Sequence, residues 1–366
     1  MEISMMKDKI RKLVRNILPY KFIITKKRNG FWDDALKGTE NPKMDAVCMF
    51  ASVVSVEGFG ATGSSAVIDL IREYKDMAVL GTVDPEGSQT SPKEAHAEID
   101  ILRHTGGLYQ MERCFDKNIP QSYFWNDAAV KQFLDLAYFS PFYRGYPALQ
   151  PYFYSFAKEI LSHRVANAEG SPVNHLMGRF YDASDIYYLN SLTIEEYQEK
   201  CRCFLNSIFN YFYTGKSTFL VLDQLFAGCE IDVEHFRKYV PNLKQIMVYR
   251  DPRDVYCICQ RLNLSWMPHE TVERYIEWVK MAYGNFDIHS IDYENLRFED
   301  MVLDYDNTVS RIEKLLGLSP EQHVRPKSCF NPAVSEKSVG EWKREPQFAD
   351  DFKKIREALP HLCYEK

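Results

Sequence analysis

The stretch Ser52-Val53-Val54-Ser55-Val56-Glu57-Gly58-Phe59-Gly60-Ala61-Thr62-Gly63-Ser64-Ser65 decides the fold. Its first half ends a largely apolar, valine-rich run, Ala46–Val56, the pattern of a parallel strand buried on both faces. After it, Val67, Ile68, Leu70 and Ile71 predict a helix over Ala66–Tyr74. Glycines between a buried strand and a helix amino terminus let successive backbone N–H groups converge on one point, where the helix dipole adds positive potential. The natural occupant is a phosphate. Counted from Gly58 the spacing is G-x-x-x-x-G-S-S, a P-loop pattern with Ser64 in the lysine's place. The plain alternative is a glycine turn that only reverses the chain.

Further along, Leu243–Tyr249 reads as a second buried strand, followed by Arg250-Asp251-Pro252-Arg253-Asp254-Val255-Tyr256. Ligands of open α/β sheets bind at that carboxyl end, and arginine's planar donors suit phosphate. The alternative pairs Arg250 and Arg253 with Asp251 and Asp254. A third segment, Ile291–Met301, leads into Asn307–Leu318, whose Val309, Ile312, Leu315 and Leu316 form a helical face closed by Gly317. Phe330-Asn331-Pro332 and Lys337-Ser338-Val339-Gly340-Glu341-Trp342-Lys343 follow. Gly215-Lys216-Ser217-Thr218 ends like a P-loop, but an aromatic segment precedes it, so Lys216 reads as a loop lysine. Phe219–Leu225 reads as another strand, with Asp223 near its exit.

The 366 residues are 45% hydrophobic, enough for one large core or a core with a capping subdomain. A net charge of -6 gives no basic field, which argues against nucleic acid as a partner. The nine cysteines are irregularly spaced and no apolar signal-peptide core opens the chain, so reduced thiols and a cytoplasmic location are expected. Cys201-x-Cys203 and Cys257-x-Cys259 lack zinc-site spacing, and no metal is expected. No apolar run approaches the ~20 residues that would span a bilayer. Residues 1–44 form a separate basic segment: Met5, Met6, Ile10, Leu13, Val14, Ile17 and Leu18 recur at helical spacing among Lys7, Lys9, Arg11, Lys12 and Arg15. Such a helix either packs on its own domain or a subunit, or makes peripheral contact with an anionic membrane. Residues 45–366 form the main domain. Within it, residues 109–213 read as a helical insertion rich in aromatics, among them Tyr123-Phe124-Trp125, Tyr138-Phe139, Tyr152-Phe153-Tyr154 and Tyr187-Tyr188. Rings stack on sugars, but more commonly they pack helical cores.

Taken together, these segments resemble the PAPS-dependent sulfotransferases, in that family's order. Gly60–Ser65 is similar to its 5′-phosphosulfate loop, Arg250–Val255 to its 3′-phosphate segment, Leu296–Leu318 to its "RYEDLV…FLGL" signature, and Lys337–Lys343 to its closing "K…GxWK" loop. Glu98–Leu108 resembles the "EFxxxRxPGGL" segment of the bacterial carbohydrate- and lipid-modifying branch. The resemblance spans roughly residues 45–343. It implies an α/β fold: a central parallel sheet of the P-loop kinase type, helices on both faces and the helical insertion.

It also implies a chemistry, the in-line transfer of a sulfuryl group from PAPS to a hydroxyl of a glycan, glycolipid or related acceptor, with PAP as product and no metal. The cofactor-binding residues would be Gly60, Ala61, Thr62, Gly63, Ser64, Ser65, Arg250, Arg253, Lys337, Gly340, Trp342 and Lys343. Glu98 would take the acceptor's proton, with His96 and His104 as rival bases; two residues apart on a strand, His96 and Glu98 share a face. The chain departs from the family at Ala61, where Lys or Arg is usual, and at Ile258, where a serine is usual. Lys337 is the candidate to replace the missing cation. Two other readings remain open: a catalytically inactive nucleotide- or glycan-binding relative, and an ATP-dependent P-loop phosphotransferase, which would need a lysine where Ser64 stands.

Overall fold

A computed structural model describes residues 42–80, 108–109, 111–116, 147–165, 186–226, 232–264, 266–284 and 286–365. Met5–Leu18, His96, Glu98, His104 and the rings at 123–125 and 138–139 lie outside these residues. The chain divides into two compact units: Met1–Ala46 with Gly107–Ile208, and Val47–Gly106 with Phe209–Lys366.

The second unit carries a five-stranded parallel sheet. In chain order its strands are β1 (Ser52–Gly58), β2 (Met77–Val79), β5 (Phe219–Asp223), β6 (Leu243–Tyr249) and β7 (Glu294–Arg297), arranged β2-β5-β1-β6-β7. This is a central parallel sheet of the P-loop kinase type, with the loop-bearing strand in the middle. β6 has the bounds read from the sequence. β1 begins at Ser52 rather than Ala46, because the preceding residues bond to distant partners: Met49 N–H donates to Asn210 Oδ1 (2.7 Å) and Ala51 N–H to the Thr218 carbonyl (2.9 Å).

Side-chain alternation sends the strands' two faces to different partners. Val54 and Val56 of β1, Val221 of β5 and Ile246 and Val248 of β6 join one apolar cluster. It also takes Val67, Ile68, Leu70 and Ile71 of helix α1 (Ser64–Arg72) and Ile312 and Leu316 of a later helix, Tyr305–Leu316. Tyr249, pointing the other way, joins a second cluster built from α5 (Pro252–Leu262), α6 (Val272–Ala282) and Ala349–Ala358. Helices therefore cover both faces. Glu73, fully buried just past α1, accepts backbone N–H bonds from Lys327, Cys329 and Phe330 (2.9 Å each) and a 2.7 Å contact from His323 Nε2. It fixes the chain that leads to the Lys337–Lys343 loop.

The described part of the first unit contains α2 (Gln150–Ile160) and α3 (Ile194–Asn210) up to Ile208. Their rings pack on one another, Phe153 and Phe156 each lying 4.8 Å from Phe204, and Phe115 of the 3-10 turn Arg113–Phe115 stacks on Tyr197 at 4.4 Å. These aromatics form a core. The sequence suggested no strands here, yet β3 (Leu161–Val165) pairs antiparallel with β4 (Ile186–Leu189).

Candidate active site: the Gly58–Ser65 loop and its closing segment

Three departures from ordinary backbone shape the loop. Gly60, Ala61 and Gly63 have φ of 85°, 54° and 98°, all left-handed. Gly63 is the N-cap of α1 and leaves it without a side-chain cap, so the first-turn N–H groups remain available to an anion. The Thr62 hydroxyl folds inward and accepts the Phe59 N–H at 3.2 Å. Both left-handed glycines are also packed against rings. A β-carbon on Gly60 would meet Trp266 Cη2 at 2.4 Å, and one on Gly63 would meet Phe298 Cδ2 at 2.5 Å.

Phe298 joins the loop to the arginine segment. Its ring faces Gly63 and also lies 4.5 Å beneath the Arg250 guanidinium. Arg250 is 5% exposed. It bonds to the Ser338 carbonyl, stands 3.7 Å from Asp254 Oδ2, and keeps a buried Nε without a partner. Asp254 in turn accepts the Gly340 N–H (2.9 Å) and the Trp342 N–H (3.0 Å), and burial pushes its carboxyl up. Arg250 and Asp254 thus fasten the closing segment over the carboxyl end of β6.

Arg253 is engaged internally. Its Nε and Nη2 meet Asp251 at 2.7–3.2 Å, Nη2 also donates to the Tyr364 carbonyl, and the guanidinium lies 4.0 Å from the Trp342 ring. Asp251 caps α5 by accepting the Arg253 N–H at 2.8 Å. The pairings the sequence offered as the alternative for these arginines are therefore both present. Lys343 Nζ lies 5.7 Å from the Trp342 ring. Lys337 is exposed, and its carbonyl accepts from Arg344.

Three carboxylates border the site, Glu57 and Glu299 buried and Asp223 half-buried. At Glu57 (5% exposed) burial pushes the carboxyl up to about 7, against donors from Ser55 and the Phe226 N–H. At Asp223 burial raises it to about 6, while Ser64 and Gln224 side-chain hydrogen bonds hold it down. At Glu299, behind Arg250, burial raises it to about 7; Oε1 accepts the Asp251 N–H (2.9 Å) and Oε2 has no partner.

The structure thus brings together Gly60–Ser65, Arg250, Gly340 and Trp342, while Glu98 and His96 lie outside the described residues. Lys216 is exposed at the amino end of β5, the opposite end of the sheet from the loop. The roles of Phe298 and Trp266 were not legible in the sequence: each is defined by its approach to a glycine, which no spacing records. Asp223 could be found as an acid at a strand exit.

No family profile matches the chain, and no curated protein matches it. Among solved structures it is similar to the sulfotransferase domain of the Synechococcus PCC 7002 olefin synthase, at 13% identity over 90% of this chain and 100% of that one, TM-score 0.35. It is also similar to sulfotransferase STF9 from Mycobacterium avium (13% identity, 88% and 79% covered, TM-score 0.32). A third is sulfotransferase STF1 from Mycobacterium tuberculosis H37Rv (12% identity, 86% and 92% covered, TM-score 0.33). At these scores the fold assignment rests on the chain's own sheet order and loop.

Proposed function

We propose that this chain is a sulfotransferase that binds PAPS across the Gly58–Ser65 loop and Arg250 and moves its sulfuryl group to a hydroxyl of a glycan, glycolipid or related acceptor. One observation carries the reading: a left-handed glycine cradle at a helix amino terminus is joined through a single ring, Phe298, to a buried arginine with an unpartnered Nε. A phosphate on the loop and a second phosphate near Arg250 would answer both features. When bound, the donor supplies an activated sulfuryl group. The chain's residues do the rest: the N–H groups of Gly63, Ser64 and Ser65 hold one phosphate, and Arg250 holds the other. Lys337, free of internal side-chain bonds among the described residues, meets the charge that grows on the departing group. Glu98, or His96, takes the acceptor's proton. Peripheral contact of Met5–Leu18 with an anionic membrane belongs to the same proposal, since it would bring the chain to lipid-linked acceptors.

The test is calorimetry with PAP and with ATP plus magnesium. PAP should bind without metal, and a ligand at a hundred times its Kd should add about 2.7 kcal/mol of apparent stability. Binding of ATP only with magnesium, and none of PAP, would overturn the reading. A second reading, an inactive nucleotide-binding relative, is favoured by one feature: the loop carries Ala61 in place of a cation. PAP binding without turnover, and no further loss in Lys337→Ala, would support it.

A further inference from the structure

We propose that Trp266 is the stacking platform for the acceptor, its open ring receiving a pyranose through the face on which the sugar's axial C–H bonds lie. The proposal rests on the reading of the loop given above, and it names the residue that selects a sugar at the loop's Gly60 end.

Trp266 is 59% exposed. A single exposed apolar residue is ordinary, so what sets this one apart is how it is held. It belongs to the turn that follows α5, where Asn263 ends the helix in a left-handed conformation (φ 48°). The Leu264 N–H returns to the Cys259 carbonyl at 3.4 Å, and the Met267 N–H to the Leu264 carbonyl at 3.0 Å. The His269 ring bridges the turn, with Nδ1 2.7 Å from the Met267 carbonyl and Nε2 3.2 Å from Asn263 Oδ1. Gln260 Nε2 donates to the His269 carbonyl at 2.7 Å. Met267 is buried, and its sulfur accepts the Cys259 thiol at 2.8 Å. A large ring left in solvent on a turn fastened in this way has little freedom to lose when a ligand covers it.

Position decides what that ligand is. The ring's edge packs against Gly60, where a β-carbon would meet Cη2 at 2.4 Å and Cζ3 at 2.7 Å, whereas Phe298 packs against Gly63. Phe298 leads on to Arg250, so the nucleotide takes that end of the loop. At roughly 1.5 Å of rise per residue, Cys259, on which the turn rests, stands about 12 Å along α5 from Asp251, the neighbour of Arg250. The ring therefore lies away from the adenosine 3′ end and beside the loop, where the acceptor hydroxyl must arrive. The turn's other exposed residues, Asn263 and Glu270, are polar. One apolar plane with a polar rim matches a pyranose, which carries C–H bonds on its faces and hydroxyls at its edge. An alkyl chain would need a longer apolar track.

Saturation-transfer NMR on the PAP-loaded chain, with methyl β-D-glucopyranoside as the probe, tests this. The axial protons on the anomeric proton's side of that sugar share one face, and they should receive more saturation than those of the opposite face. Trp266→Leu keeps an apolar side chain beside Gly60 but has no ring; its glucoside affinity should fall about tenfold, more than its PAP affinity, and Trp266→Phe should recover most of the loss. No saturation of the glucoside, equal saturation of its two faces, or full glucoside affinity in Trp266→Leu would each overturn the proposal, while PAP binding leaves the loop's assignment intact. So would PAP and glucoside affinities that fall together in Trp266→Leu, since the ring would then only shape the loop. Decanol or phenol proving the better Trp266-dependent ligand would overturn it as well. Failure of the wild-type chain to bind PAP would remove the underlying reading, and this proposal with it.

Discussion

At the scale of single residues, Gly63 and Arg250 bear the sharpest consequences. Gly63 has φ of 98° and a ring where a β-carbon would go. Gly63→Ala therefore meets both the left-handed penalty of about 1–2 kcal/mol and a steric contact that Phe298 must yield to. Melting temperature should fall, and PAP binding should fall further than stability alone explains; a variant that binds PAP like the wild type would refute the role of the cradle. Arg250→Ala should weaken PAP by about 2–5 kcal/mol and adenosine 5′-phosphosulfate far less, because only PAP carries the 3′-phosphate. Equal losses for the two nucleotides, measured by calorimetry, would make Arg250 a fastener of the closing segment alone.

At the scale of elements, Asp254 links α5 to the segment after Ser338 through two backbone N–H bonds. Asp254→Ala should free that segment, raising hydrogen exchange at Gly340 and Trp342 while leaving the exchange of β6 unchanged. How much of this was legible differs by element. Leu243–Tyr249 could be read to the residue, because an apolar run buried on both faces carries its own signal. The start of β1 could not: Ala46–Ala51 is as apolar as a strand, but its backbone groups go to Asn210 and Thr218, more than a hundred residues away. The β3–β4 pair escaped because two short segments announce their pairing only when they meet. Of the site, the glycine loop and the arginine segment were visible as patterns, since backbone geometry and helix termini impose spacing. Trp266 and Phe298 were not, since tertiary approach alone creates their contacts with the glycines.

For the whole molecule, the buried acids predict a pH dependence of stability. Glu57 and Glu299 are raised to about 7 and Asp223 to about 6, above their unfolded values of roughly 4. The folded chain therefore holds more protons than the unfolded chain in that interval. The contribution of these groups is fully present below about pH 4 and is lost as pH rises through 6 and 7. Glu299→Gln removes one of them, so its melting temperature should gain on the wild type's as pH rises across this window. Parallel melting curves at every pH would show that Glu299 does not titrate as its burial implies.

Phe298 carries a consequence at this scale too. It touches the loop on one side and Arg250 on the other, and it belongs to the apolar cluster that joins β1, β6, β7 and α1. A ring wedged in that way acts as a gauge block, setting the span between two anchoring points by its own thickness. If the loop and Arg250 each hold a phosphate, as proposed, the cleft would select nucleotides by length as well as by charge. An isomer with its second phosphate moved by one ribose carbon carries the same formal charge but arrives at the wrong distance. A smaller side chain at this position would recalibrate the gauge, admitting ligands of another span at the expense of the original one.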